Sequence, residues 1–199
     1  PPALPGFEGI KRYWDHTNGS FAAKIMPGEY YVTSSREVIT TVLGSCISAC
    51  IRDPRMGVAG MNHFMLPNNG VNRAEPVDLA NRYGAYAMEH LINDLLKLGA
   101  RRDHLEIKLF GGGRMFDQMS DIGRNNIEFV HQYLATEGYP VTTEDLGGPY
   151  PRKVLYFPAN GKVRVKKLTK LHNNTLLQRE ERYLENLKTE PISGSIDLF

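Results

Sequence analysis

The chain has 199 residues, 41% of them hydrophobic and 23% charged, which excludes a wholly disordered protein and predicts one folded domain, with or without a tail. The net charge of +2 is too small to indicate a nucleic-acid partner. There is no apolar stretch of about 18 residues and no signal-peptide pattern, so we expect a cytoplasmic location without direct membrane insertion.

Alternating and helical patterns of apolar residues divide the chain into three parts. Residues 1–28 are rich in proline and glycine and are predicted to be an irregular N-terminal lead-in, residues 29–170 a folded domain, and residues 171–199 a polar surface helix (175–188) with a flexible tail. In the domain, helices are predicted at 79–98 and 123–137, and strands at 29–33, 37–43, 46–52, 58–65, 105–110, 141–146, 152–157 and 162–168. Runs of strands with two intervening helices predict an α+β fold, with helices on one side of mixed or antiparallel sheets.

The two cysteines, Cys46 and Cys50, are predicted to be reduced thiols. Residues four apart on one strand are separated by about 13 Å, which is beyond disulfide reach. The sequence also lacks a second Cys/His cluster that would complete a zinc site. We therefore expect neither a disulfide framework nor a bound metal.

Cys46 and His63 are the candidate catalytic pair. Cys46 follows Gly44 and Ser45 at a predicted bend, and His63 lies on a neighbouring predicted strand, where it could take the thiol proton. The backbone N–H groups of Ser45 and Cys46 are the candidate oxyanion donors, because a tight turn leaves them free. The residues alone leave another interpretation open, in which Cys46 is a small core residue and His63 an interior histidine.

The triple glycine Gly111–Gly113 lacks the Gly-Lys-Ser/Thr ending of a phosphate-binding loop. It is interpreted as a turn that allows another backbone segment to approach closely. Phe116, just after it, is predicted to be a docking contact for a protein partner, with a core position as the alternative.

Four segments together resemble the CheD family of chemoreceptor glutamine deamidases: TTVLGSC (40–46), GMNHFMLP (60–67), GGGRMF (111–116) and IGRNN (122–126). The similarity covers most of residues 30–168, in the same order and with matching gaps. It implies a compact α/β/β three-layer sandwich and a Cys-His-Thr triad that needs no metal, nucleotide or organic cofactor. By motif position the triad falls on Cys46, His63 and Thr40, and Thr41 adjoins the third member.

The resemblance also implies a function for residues 29–170, that of a hydrolase acting on a linear amide. It would convert glutamine side chains on the cytoplasmic helices of methyl-accepting chemotaxis receptors to glutamate and release ammonia through a cysteine thioester. Two alternatives remain: a non-catalytic binding module that regulates a CheC-type response-regulator phosphatase, and a receptor glutamate methylesterase. Because a folded protein substrate needs a shallow site, we expect Cys46 to be exposed and its thiol to be activated by His63.

Overall fold

The computed structural model describes residues 1–67, 77–115, 120–168 and 173–189. Within these ranges three α-helices accompany ten strands, and a short 3₁₀ helix lies at Arg102–His104. In chain order the elements are β1 (Lys11–Asp15), β2 (Ser20–Lys24), β3 (Tyr30–Thr33), β4 (Val38–Leu43), β5 (Ile47–Asp53), β6 (Val58–Asn62), α1 (Val77–Lys97), β7 (Glu106–Gly111), α2 (Ser120–Glu137), β8 (Val141–Leu146), β9 (Arg152–Phe157), β10 (Lys162–Lys167) and α3 (Asn173–Thr189).

The strands form two mixed five-stranded sheets. The first has the order β1-β2-β4-β9-β10 and the second β3-β6-β5-β7-β8, and in each sheet one neighbouring pair is parallel, β2–β4 and β7–β8 respectively. Helix α1 contacts β3, β5 and β6, and α2 contacts β5, so both helices pack on the second sheet. Buried residues of both sheets and both helices belong to one hydrophobic core, and the predicted α+β sandwich is confirmed.

Helix α1 shows why the sequence pattern was informative. Met88, Leu91, Ile92 and Leu95 recur at helical spacing and are all buried. The helix ends before Gly99, which has a φ of +98°, and the Ala100 N–H donates to the Leu95 carbonyl as in a glycine-terminated helix. The predicted strands from 29–33 to 162–168 agree with β3 to β10 to within a few residues at each end.

The prediction of an irregular lead-in at residues 1–28 is wrong. Strands β1 and β2 form an antiparallel hairpin, and β2 continues into the first sheet by parallel pairing with β4. Trp14 and Phe21 face each other across this hairpin with ring centroids 5.3 Å apart. The flanking proline and glycine residues indicated irregular structure, but the two five-residue segments between them contain aromatic residues that favour β structure.

None of the helices in the described ranges has the length and apolar character needed to cross a bilayer. Among the same residues, no cluster of three or more His, Cys, Asp or Glu side chains is arranged to hold a metal ion.

Candidate active site

A backbone bend at Gly44–Cys46, referred to below as the bend, connects β4 of the first sheet to β5 of the second. All three of its carbonyl groups accept hydrogen bonds from the protein. The Gly44 carbonyl accepts from the Gly113 N–H at 2.8 Å, the Cys46 carbonyl from the Gly112 N–H at 2.9 Å, and the Ser45 carbonyl from Asn126 Nδ2 at 2.9 Å. The bend is therefore fixed in orientation through its oxygens.

The glycine turn Gly111–Gly113 makes this contact possible. Gly111 has a φ of +111°, and a Cβ atom there would lie 2.0 Å from the Cys46 carbonyl oxygen. A side chain at Gly113 would likewise come within 3.0 Å of the Gly44 carbonyl oxygen. The interpretation of the triple glycine as a site of close backbone approach is confirmed.

The N–H groups of the bend bind a carboxylate. Glu180 of α3 accepts from the Gly44 N–H at 2.8 Å and the Ser45 N–H at 3.0 Å, and from the Ser45 hydroxyl at 2.6 Å; the Cys46 N–H lies 3.5 Å away, at the limit of a hydrogen bond. We call these four donors the donor pocket. A Cβ atom on Gly44 would lie 2.7 Å from Glu180 Oε1, so the carboxylate fits only because residue 44 is glycine.

Cys46 is fully buried, and the expectation that it would be exposed is wrong for this structure. The pKa of its thiol lies well above the ordinary value, chiefly because burial disfavours the thiolate and also because of the negative charge and hydrogen bond of Glu180. Both effects oppose the activated thiolate that was expected. Burial is the larger cause, and α3 adds the second by bringing the Glu180 carboxylate against the thiol.

His63 is positioned by two strands. The β5–β6 ladder continues through Ile47 and Phe64, which exchange two backbone hydrogen bonds of 2.9 and 3.0 Å. This antiparallel register puts the Cys46 and His63 side chains on one face of the ladder as diagonal neighbours. The backbone of His63 is further held by the Glu29 carbonyl at 3.0 Å and the Gly28 N–H at 2.8 Å. The sequence thus folds so that the two predicted residues are diagonal neighbours at one end of the ladder.

Burial of His63, which is 1% exposed, lowers the pKa of its imidazole to about 3, with a smaller contribution from the positive charge of Arg179. The ring is therefore neutral at physiological pH. The positive charge of Arg179 also lowers the pKa of the Cys46 thiol, but burial and Glu180 raise that pKa by more. The charge of Arg179 thus affects both the thiol and the imidazole.

The threonine that contacts His63 is Thr41 and not Thr40. Thr41 Oγ1 lies 2.7 Å from His63 Nδ1 and donates its only proton to the Ile25 carbonyl at 2.8 Å, so it accepts from an Nδ1–H group. The Thr40 hydroxyl points elsewhere and donates to the Val154 carbonyl at 2.9 Å. Nδ1 protonation leaves Nε2 unprotonated, and Nε2 has no hydrogen-bond partner within the described part of the chain.

A cavity of about 320 Å³ adjoins His63 on the side of α1. Its walls include three tyrosines and a second histidine, and the full set is Gly28, Glu29, Tyr30, Asn62, His63, Phe64, Tyr83, Tyr86, Ala87 and His90. The Tyr183 ring of α3 lies against this region. A Cβ atom placed on Gly28 would be 3.2 Å from the ring, and the Tyr183 hydroxyl is 2.6 Å from that of Tyr83.

Three residues of the site were not identified from sequence. Thr41 was noted only as a neighbour of Thr40. The Asn126 side chain donates to the Ser45 carbonyl and accepts from the Leu66 N–H, both at 2.9 Å. Its position in the IGRNN segment could have indicated a role. Glu180 had no signal, because a glutamate on a polar helix is typical of a solvated surface. Phe116, the predicted docking contact, lies outside the described residues.

Comparison with known proteins identifies the family of this chain. The family model described as "CheD chemotactic sensory transduction" matches residues 65–167. A relative from Hahella chejuensis named "Probable chemoreceptor glutamine deamidase CheD" is 55% identical over 200 residues, covering 100% of this chain and 95% of the relative. Proteins of the same name from Halorhodospira halophila (100% of this chain, 94% of the relative) and Saccharophagus degradans (100% and 94%) are 54% and 51% identical. The chain therefore belongs to the CheD family.

Proposed function

We propose that this protein is a chemoreceptor glutamine deamidase, a hydrolase that converts receptor glutamine side chains to glutamate and releases ammonia. The observation that carries the proposal is the glutamate side chain bound in the donor pocket beside Cys46. The site accommodates the chemical product of the reaction, on a helix, next to a thiol and a neutral imidazole. The names of the relatives point to the same substrate.

The first chemical step is attack of the Cys46 sulfur on the Cδ carbon of a bound glutamine. His63 Nε2 takes the thiol proton, the sulfur–carbon bond forms, and the carboxamide C–N bond then breaks as the imidazolium returns that proton to the departing ammonia. The product of this half-reaction is a thioester between Cys46 and the substrate. A water molecule, deprotonated by His63, then releases glutamate and restores the thiol.

Thr41 serves in this proposal as a positioning residue. Its hydroxyl proton is committed to the Ile25 carbonyl, so the oxygen can only accept from His63 Nδ1. This holds the ring with Nε2 as the basic nitrogen. Thr40, which the family resemblance implied as the triad member, has its hydroxyl committed to Val154 and takes no part.

The donor pocket is proposed to stabilise the oxyanion of the tetrahedral intermediates. The Ser45 and Cys46 N–H groups were the candidates from sequence, and the Gly44 N–H joins them because it binds the same carboxylate. These donors need no reorganisation during the reaction, since the carbonyls of the bend are held by Asn126 and the glycine turn. Removing one such donor typically costs about 2.7–4 kcal/mol of transition-state stabilisation.

We further propose that the protein works in the cytoplasm on the cytoplasmic helices of the receptors, without a cofactor and without inserting into the membrane. Each conversion adds one negative charge to a receptor helix and creates a carboxylate that a methyltransferase can esterify. Docking to a CheC-type phosphatase is a further part of this proposal and follows from the family resemblance.

The experiment is incubation of the purified protein with a chemoreceptor cytoplasmic fragment, followed by peptide mass mapping. We expect a gain of about one mass unit at specific glutamines with ammonia released, and none with Cys46→Ala. A loss of about fourteen mass units at methylated glutamates would instead identify a methylesterase. Binding of a CheC-type phosphatase by wild type and Cys46→Ala alike, with no mass change in the receptor, would favour the binding module.

A further inference from the structure

We infer that α3 is a tethered pseudosubstrate: it occupies the groove that receives a receptor helix and holds Glu180 where the side chain of a substrate glutamine binds. This inference rests on the proposed deamidase function and adds to it the position of the substrate helix and a resting state of the enzyme.

The burial pattern of α3 marks one face as a docking face. Leu176, Glu180 and Leu184 are four residues apart and are all buried, whereas Gln178 and Glu181 are exposed. A carboxylate in the middle of an apolar stripe carries a large desolvation penalty unless it is fully hydrogen-bonded. Here the donor pocket provides those bonds, so the helix is complementary to the site at its most polar position.

A glutamine side chain has the shape needed to take the place of Glu180. Carboxylate and carboxamide have the same planar shape and differ only in one oxygen replaced by an NH₂ group. The Gly44 N–H donates to Glu180 Oε1, whereas the Ser45 N–H and hydroxyl donate to Oε2. A carboxamide oxygen at the Oε1 position can accept from the Gly44 N–H, and an NH₂ group at the Oε2 position can donate to the Ser45 hydroxyl oxygen, which is both a donor and an acceptor. The Ser45 N–H then loses its acceptor, so the donor pocket binds a glutamine side chain with one hydrogen bond fewer than a glutamate.

Two further contacts define the line along which the helix lies. Arg179 donates to the Val42 carbonyl at 2.6 Å, at the end of β4. At the other end of this line, Tyr183 packs over Gly28 and its hydroxyl meets that of Tyr83 on α1. The groove thus extends from β4, past the bend, to the cavity beside His63, and a receptor helix is expected to follow the same path.

Occupation by α3 keeps the enzyme inactive for two reasons. The donor pocket is filled, so a substrate oxygen has no place to bind. Burial and, to a smaller extent, the Glu180 carboxylate also raise the pKa of the Cys46 thiol, so little thiolate is present at neutral pH. A receptor helix must displace α3 before reaction, and displacement removes both obstacles.

The decisive experiment uses Glu180→Gln in the full chain. A glutamine held at the reacting position should be hydrolysed by Cys46 of the same molecule, so the purified variant should carry glutamate at position 180. Digestion after lysine gives the peptide 171–188, which holds both position 180 and the exposed Gln178 as an internal control. Fragment ions locate the gain of about one mass unit.

The double variant Cys46→Ala/Glu180→Gln is the matched control and should retain the introduced glutamine. Gln178 should be unchanged in both proteins. If the single variant deamidates the receptor fragment while its own introduced glutamine stays intact, α3 is not a pseudosubstrate and the inference is overturned. If neither the receptor fragment nor the introduced glutamine is converted, the deamidase function itself fails.

A second measurement tests the resting state. Glu180→Ala should increase the rate of Cys46 alkylation by iodoacetamide at pH 7.5 by at least about tenfold, because loss of the carboxylate lowers the thiol pKa and removes the hydrogen bonds that hold α3 on the bend. It should also accelerate deamidation of the receptor fragment. There are two controls. Cys50 in the Glu180→Ala variant should be alkylated at the wild-type rate, and the variant Glu181→Ala should match the wild type in Cys46 alkylation and receptor deamidation. Unchanged Cys46 labelling and unchanged receptor turnover in Glu180→Ala would contradict an inhibitory role.

Discussion

The bend that carries Cys46 is held on its two sides in different ways. On the inner side, the carbonyls of Gly44, Ser45 and Cys46 are bonded to the glycine turn and to Asn126, all within the sandwich. On the outer side, the N–H groups of the same residues are bonded to a single side chain, Glu180, on a helix that follows the last strand. The inner contacts are part of the core, whereas the outer contact depends on one helix remaining docked.

This difference indicates how the site combines rigidity with access. The direction of the N–H groups is set by the inner contacts and does not depend on what occupies the donor pocket. The occupant can therefore be exchanged, α3 for a substrate helix, without rebuilding the oxyanion site. Changes on the inner side should lower activity, and changes on the outer side should raise it.

The largest effect on activity is expected at His63, which lies beside the bend and belongs to neither set of contacts. His63→Ala removes the base that accepts the thiol proton, and receptor deamidation should fall by about 10²–10⁴-fold. His131→Ala, which removes an exposed imidazole paired with Glu144, is the control and should retain wild-type activity. Ammonia release from a receptor fragment provides the measurement. A loss below about tenfold for His63→Ala would mean that another group acts as the base.

Gly111→Ala should break the inner contact itself. The new Cβ would lie 2.0 Å from the Cys46 carbonyl oxygen at a φ of +111°, so either the turn or the bend must move. We expect a loss of about 3 kcal/mol in the free energy of unfolding, measured by urea denaturation, together with lower activity.

Gly138→Ala is the matched control for this substitution. It has a positive φ of +76°, but a Cβ atom there would meet nothing within 4 Å. It should therefore lose only about 1–2 kcal/mol, from backbone strain alone. Equal losses at the two positions would show that the approach of the glycine turn to the bend carries little of the stability.

The smallest effect is expected from the hydroxyl that orients His63. Thr41→Val should lower kcat by about tenfold with little change in KM, because the imidazole loses the acceptor that fixes its tautomer. Thr41→Ser should restore the activity, since the serine hydroxyl can make the same bond. Thr40→Val should leave kcat unchanged and reduce stability by about 1 kcal/mol, through the lost bond to Val154. The reverse ranking of Thr40 and Thr41 would contradict the observed hydrogen bonds.

The sequence predicted what depends on local pattern. The strands on either side of the bend have apolar and β-branched runs bounded by turn residues, so Cys46 and His63 could be assigned to neighbouring strands. The hairpin β1–β2 was missed because its pattern is weak, and its turn depends on details such as Asp15 accepting from the Thr17 and Asn18 N–H groups.

The choice between Thr40 and Thr41 depends on which face of β4 meets the second sheet. Thr41 shares a face with Ile39 and Leu43, which lie in the core, but Thr40 shares its face with Val38 and Val42, and both sets are apolar. Alternation alone could not separate them. The carboxylate beside Cys46 could not be predicted either, because it comes from a helix more than 130 residues later in the chain.

The covalent continuity of α3 with the sandwich has a further consequence. Only a short connection separates Lys167, at the end of β10, from Asn173, at the start of α3, so the helix competes for its groove at an effective concentration on the order of millimolar. Free glutamine and proteins present below this concentration would rarely displace α3 from the groove. Receptor helices concentrated at a membrane would displace it, so the choice of target depends on local concentration as well as on the residues around each glutamine.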